Sequence, residues 1–142
     1  MTLAEFRYLA ADTGSGFSSM GYTTADSESV LIGSQEWEIV NLNVTTYSDG
    51  TIIPQVTDPT AWEALTTGAW CYYDNNTFYG GTSSNFKKLY NSYAVAGIYD
   101  AASYSNPTLR KKLAPNGWHL PTNAEWTTLI NYLGGESVAG DA

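Results

Sequence analysis

The apolar positions of this chain come in short bursts separated by polar turns, a pattern of small elements rather than long ones. Residues 1–28 mix Ser, Gly, Thr and Asp with scattered aromatics and hold no sustained period. They predict an extended arm ahead of a folded domain over 29–142. The stretch SVLIGSQEWEIVNLNV then carries two β-type runs on either side of Gly33-Ser34-Gln35, which predicts a hairpin. In its second run Trp37, Ile39 and Asn41 alternate with Glu38, Val40 and Leu42, so neither face is purely polar. Asp49-Gly50 marks a turn. DPTAWEAL predicts a short helix with Asp58 as N-cap and Pro59 in its first turn. Gly68 closes that segment and AWCYYD reads as a strand, with Trp70 and Tyr72 facing the core. LYNSYAVAGIYD fits strand and helix periods equally poorly. DNNTFYGGTSSN and AASYSNPTLRKK read as loops.

The best-specified element lies late in the chain, in LPTNAEWTTLINYLGG. Thr122 and Glu125 stand three apart, the spacing of a reciprocal capping box. Trp126, Leu129, Ile130 and Leu133 fall on one helical stripe. Gly134 supplies a left-handed stop. His119, between Trp118 and Pro121, is the sole histidine of the chain, and no second His or Cys stands at metal-ligand spacing from it. The bland reading therefore wins for the whole motif: Trp118, His119, Thr122, Glu125 and Trp126 are structural, and no catalytic residue is assigned.

Composition changes the picture in one respect. Of 142 residues only 14% are charged, against the roughly 25% usual in soluble domains. Aromatics also reach 14%, with eleven Tyr and five Trp. The surface must then be built from neutral polar and aromatic groups, as on extracellular or particle-borne proteins. A net charge of −8 argues against nucleic acid as a partner, because phosphate binding needs clustered Lys and Arg. The lone Cys71 can form neither an internal disulfide nor a thiolate metal cluster. No cationic start followed by an apolar run opens the chain, and no segment is long enough for membrane insertion.

Candidate chemistry is sparse. Asp74, Asn75 and Asn76 offer oxygen ligands for Ca²⁺ but lack the spacing of a calcium loop, and an Asx-rich turn explains them better. No metal and no cofactor is therefore expected. The ligand-binding candidates are aromatic residues in the polar excursions: Tyr73, Phe78, Tyr79, Tyr99 and Tyr104. Aromatic faces stack on sugars, and Tyr adds a hydrogen-bonding tip.

The run LAPNGWHLPTNAEWTTLINYLGG resembles the Fibrobacter succinogenes major paralogous domain, a bacterial family found mostly in secreted and surface proteins. The resemblance extends back through IGSQEWEIVNLNVTTYSDGTIIP, AWEALTTGAWCYYDN and KKLYNSYAV, and forward into GGESVAG. LPTNAEW is also similar to a helix start in formylglycine-generating enzymes. The resemblance implies an α+β, C-type-lectin-like domain with short helices packed on small antiparallel sheets. The family continues past "AG" with further strands, so the resemblance also implies a core left incomplete at the C-terminus, to be closed by further residues or another chain. The formylglycine enzymes need a cysteine pair that Cys71 cannot supply, so no enzyme is expected. The expected function is a binding or display module contacting a glycan or protein at a bacterial surface. A surface-like composition without a signal peptide fits a bacteriophage virion component: a fibre, spike or decoration protein. An architectural virion protein and a bacterial surface lipoprotein adhesion domain are the alternatives. Partners would then be a bacterial surface glycan or protein, other virion subunits or copies of itself, and the location a virion or cell surface.

Overall fold

A computed structural model describes residues 10–11, 29–77 and 87–139. Among these residues two antiparallel sheets and five short α-helices make an α+β mixture. The larger sheet contains β1 (Ala10–Ala11), β2 (Ser29–Ile32), β3 (Gln35–Glu38) and β6 (Trp118–His119) in the order β2-β3-β1-β6. The smaller pairs β4 (Trp70–Tyr72) with β5 (Lys88–Tyr90). Ala10 lies opposite both Trp37 and His119, so part of the segment expected to be an arm forms the strand that joins the hairpin to β6.

The hairpin follows from its turn. Gly33 has φ +63° and Ser34 does not share the positive sign, which suits a two-residue turn with glycine first. A Cβ at Gly33 would also sit 2.9 Å from the Tyr132 ring, so the turn has a second reason to be glycine. Trp37 on β3 is 1% exposed, and its ring meets that of Trp126 at 4.9 Å. This contact places helix α4 (Asn123–Tyr132) on one face of the sheet. A hydrogen bond from Gln35 Nε2 to the Glu125 carbonyl (3.2 Å) adds a polar tie.

Both ends of α4 are as its sequence predicts. Thr122 accepts from the Glu125 amide while the Glu125 side chain accepts from the Thr122 amide. At the other end, Gly134 has φ +109°, its amide bonds Asn131 O, and the Gly135 amide bonds Ile130 O. These are the paired bonds of a Schellman stop. The predicted stripe is shorter than expected. Leu129 is buried and Trp126 and Ile130 are half-buried, but Leu133 is exposed. Leu133 is the cap residue, where the chain turns off the helix axis, so it leaves the apolar face.

The main core gathers Leu42, Tyr47, Ile53, Trp70, Tyr90, Ala94, Leu113 and Ala114. Its aromatics are amphipathic, and each polar tip finds a carbonyl: Trp70 Nε1 to Ile53 O (2.9 Å), Tyr90 Oη to Val44 O (2.7 Å), Tyr47 Oη to Ile98 O (3.4 Å). Such partners remove most of the cost of burying polar groups. Burial still disfavours the phenolates, pushing Tyr47 up to about 12 and Tyr90 well above the usual tyrosine range. Cys71 sits half-buried in β4, and burial raises its thiol likewise.

Helix α1 (Pro59–Glu63) has the predicted Asp58 cap and Pro in its first turn. The ambiguous run resolves at Asn91, where β5 ends and α2 (Ser92–Val95) begins. The second polar excursion is not a loop. It contains α3 (Ala101–Ser105) and a 3₁₀ turn at Pro107–Leu109. The physical reason is again capping, by Asp100 for the helix and Asn106 for the turn. Helix α5 (Glu136–Ala139) follows the Schellman stop.

Candidate functional site

The segment 91–112 is mounted on the core by a series of polar anchors. Asn91 is fully buried and works in two directions. Its Oδ1 accepts from the amides of Ala69 (3.1 Å) and Ala94 (2.9 Å), while Nδ2 donates to Thr67 O (2.9 Å). One side chain thus caps α2 and ties it to the residues that lead into β4. Asp100 Oδ1 accepts from the Ser103 amide (2.7 Å), and Ser103 Oγ accepts from the amides of Tyr99 and Asp100, both at 3.0 Å. The Ser103 amide, helped by the Ser103 hydroxyl and the Ala102 amide, holds the Asp100 carboxyl below the usual carboxylate range. Asn106 Oδ1 accepts from the Thr108 amide (3.0 Å) and hydroxyl (2.8 Å). Arg110 Nε donates to Ser103 O (3.3 Å), closing the C-terminal end of α3.

A second clamp joins this segment to the Asp49 turn. Lys111 Nζ donates to Asp49 Oδ2 (2.5 Å) and Thr51 Oγ1 (2.6 Å) and lies 4.2 Å from the centre of the Tyr99 ring. The Lys111 hydrogen bond, helped by Thr51, lowers the Asp49 carboxyl to about 2. Gly97, φ +74°, lets the backbones close: a Cβ there would lie 2.0 Å from Lys111 O. The Lys111 amide donates to Gly97 O at 3.0 Å.

On this frame sit two tyrosines. The rings of Tyr93 on α2 and Tyr104 on α3 are 6.0 Å apart and tilted by 47°. Tyr104 is 52% exposed and Tyr93 half-buried. The result is an aromatic ledge carried on two capped helices, with Arg110 bonded to α3 and Ser105 and Asn106 exposed next to Tyr104 in the chain. Apolar faces with convergent polar groups are what sugar and peptide sites require.

The other sequence candidates go elsewhere. Tyr99 packs against the core beneath Lys111, and its ring face is taken. Tyr73 is exposed on the turn after β4. Phe78 and Tyr79 lie outside the described residues. Asp74 and Asn75 both have positive φ (51° and 50°), and Asn75 Nδ2 donates to Thr57 O (2.8 Å). Asp74, Asn75 and Asn76 are all exposed on that turn. No group of three or more His, Cys, Asp or Glu able to hold a metal occurs among the described residues. Tyr93 was invisible as a site residue because its partnership with Tyr104 depends on the caps at Asn91 and Asp100. The spacing Asp100-x-x-Ser103 is the signal that would have revealed them.

His119 pairs with Glu125, Nε2 to Oε1 at 2.7 Å, both side chains half-buried. The other Glu125 oxygen accepts from the Thr122 amide (2.7 Å) and hydroxyl (2.8 Å). Partial burial opposes ionisation of Glu125, but the bonds from Thr122 and His119 outweigh it and its carboxyl titrates low. The carboxylate therefore locks β6 to the start of α4. Trp118 packs on the main core from the same strand.

Residues 30–142 match the Fibrobacter succinogenes major domain, and the chain belongs to that family. No curated protein and no solved structure matches it. Among the described residues no helix is long and apolar enough to cross a membrane.

Proposed function

We propose that this domain is a non-enzymatic binding module that presents the Tyr93–Tyr104 ledge to a glycan at a bacterial surface. The observation that carries the reading is the mounting of the ledge. Two exposed or half-exposed rings are held by caps at Asn91, Asp100 and Asn106 and by the Lys111 clamp. Stacking surfaces that are already ordered bind without the entropic cost of being immobilised. The family resemblance supports a C-type-lectin-like arrangement, in which a rigid core carries variable loops. A surface poor in charge and rich in Tyr, Ser, Thr and Asn supports display on a particle or cell exterior, and a bacteriophage fibre, spike or decoration protein is the setting proposed.

Amide NMR of the whole chain, titrated with soluble bacterial surface polysaccharides, tests the reading. Shifts centred on residues 92–110 are expected with at least one polysaccharide class. Shifts centred on the His119–Glu125 pair, or no saturable shift with any of them, would contradict it.

A further inference from the structure

The charges of this chain are unevenly placed. Between Asp74 and Glu125 the sequence has one carboxylate, Asp100, against Lys87, Lys88, Arg110, Lys111 and Lys112. Those are five of the six Lys and Arg in a chain of net charge −8. The Tyr93–Tyr104 ledge lies within this cationic stretch. Lys111 is already engaged by Asp49, Thr51 and the Tyr99 ring. Arg110 is not neutralised in that way. The 3₁₀ turn at Pro107–Leu109 folds the chain back, and Arg110 Nε donates to Ser103 O at 3.3 Å. That carbonyl belongs to the peptide joining Ser103 to Tyr104, so the guanidinium is held one peptide from the residue that carries the exposed ring. Of the five N–H donors of an arginine, the four on Nη1 and Nη2 have no partner among the described residues, and Arg110 is exposed. Asp100 does not cancel the charge, because it caps the other end of α3 through the Ser103 amide.

We infer that the ligand of the ledge is an acidic glycan, whose carboxylate or phosphate is held by Arg110 while a sugar ring stacks on Tyr104. The inference rests on the reading of the ledge as the binding surface and adds the chemical class of what it binds. A guanidinium offers parallel N–H groups that match two oxygens of a carboxylate or phosphate. With Nε tied to the helix, the Nη pair is left for that contact. The same tie restricts the side chain beforehand, so less rotamer freedom is lost on binding. The net charge of −8 does not forbid an anionic partner. At physiological salt charges beyond about 8 Å are largely screened, and the sign at the ledge is set by its own residues.

Biolayer interferometry of the whole chain tests the inference. The probes are uronate-bearing bacterial capsular polysaccharides, each before and after carboxyl reduction, which leaves ring and linkage but removes the charge. A teichoic acid and polyglutamate complete the set. At least one acidic polysaccharide should bind, and its reduced form should bind at least about tenfold more weakly, the low end for a charged hydrogen bond. Arg110→Gln should lose about the same factor on the acidic form and nothing on the reduced one. Arg110→Lys, which keeps the charge without the fork, should fall between. Tyr93→Ala/Tyr104→Ala should weaken both forms. Arg110-dependent binding of the teichoic acid alone would support the inference with phosphate as the anionic group. Equal, tyrosine-dependent binding of the acidic and reduced forms would overturn the inference and leave the ledge standing. Polyglutamate bound as tightly as any polysaccharide would overturn it in favour of an acidic protein segment. Binding that ignores both tyrosines, or no binding to any probe, would overturn the ledge and the inference together. The comparison of acidic and reduced forms is read on the wild type, so it holds whatever the variants do to folding.

Discussion

His119 Nε2 and Glu125 Oε1 lie 2.7 Å apart, six residues along the chain, and the same carboxylate closes the capping box of α4 through its other oxygen. An imidazole–carboxylate pair invites a catalytic reading. Here the carboxylate is already used by the Thr122 amide and hydroxyl, so the pair fastens a strand to a helix. Thr122→Ala should cost about 1 kcal/mol of stability through the lost cap. His119→Ala should lower stability by a comparable amount. Chemical denaturation checks both, and a His119→Ala protein as stable as wild type would show that the pair fastens nothing.

Acid should loosen the fold at three places together. Asp49, Asp100 and Glu125 all titrate lower folded than unfolded. Their contribution is therefore complete above the unfolded carboxylate values of about 4 and fades as pH falls through the folded ones. For Asp49 that folded value is about 2. Melting temperatures should be flat from pH 7 to about 5 and fall progressively below pH 4. Asp49→Asn should flatten part of that fall; an unchanged acid profile in this variant would contradict the role given to the Lys111 clamp.

Asn91 anchors the ledge from inside. Asn91→Ala would leave the Ala69 and Ala94 amides and Thr67 O without their side-chain partner in a buried site. A loss of roughly 2–4 kcal/mol is expected, from unsatisfied polar groups and a small cavity. Gly97→Ala should be comparably damaging, because the added carbon collides with Lys111 backbone rather than with a movable side chain. Urea unfolding of each variant is the measurement, and a cost under 1 kcal/mol at both would mean the frame is looser than described.

The two tryptophans of the α4 contact should differ. Trp37 is fully buried, so Trp37→Ala should cost about 3–5 kcal/mol. Trp126 is only half-buried and should cost less. The reverse order in denaturant unfolding would require a different packing of α4 on the sheet.

How much of this was legible in the sequence depended on whether an element is specified locally. The hairpin, the Asp58-Pro59 helix and the Thr122–Glu125 capping box are fixed by residues within a few positions of one another; the last two are where the sequence puts them, and the hairpin is too except that Gln35 already belongs to its second strand, which ends at Glu38 instead of running on through Leu42. Helix α3 was also local, but Asp100 and Ser103 were hidden in a polar run that lacked apolar periodicity. The pairing of Ala10 with Trp37 and His119 could not be read, because two alanines carry no signal for strands that distant. Tyr104 was singled out from its aromatic character alone. What makes it a candidate is its neighbour Tyr93, which only the fold brings beside it.

The central claim is that the Tyr93–Tyr104 ledge binds and the His119–Glu125 pair only holds. It is tested most directly by applying three proteins to an array of bacterial surface glycans: wild type, Tyr93→Ala/Tyr104→Ala, and His119→Ala. Stacking on a ring contributes about 0.5–1.5 kcal/mol beyond its buried area. Loss of both rings should therefore reduce binding by at least about tenfold, with the melting temperature nearly unchanged because Tyr104 is half in solvent. His119→Ala should bind as wild type does. Wild-type binding by the double variant, together with loss of binding in a folded His119→Ala protein, would place the site at the histidine and contradict the account.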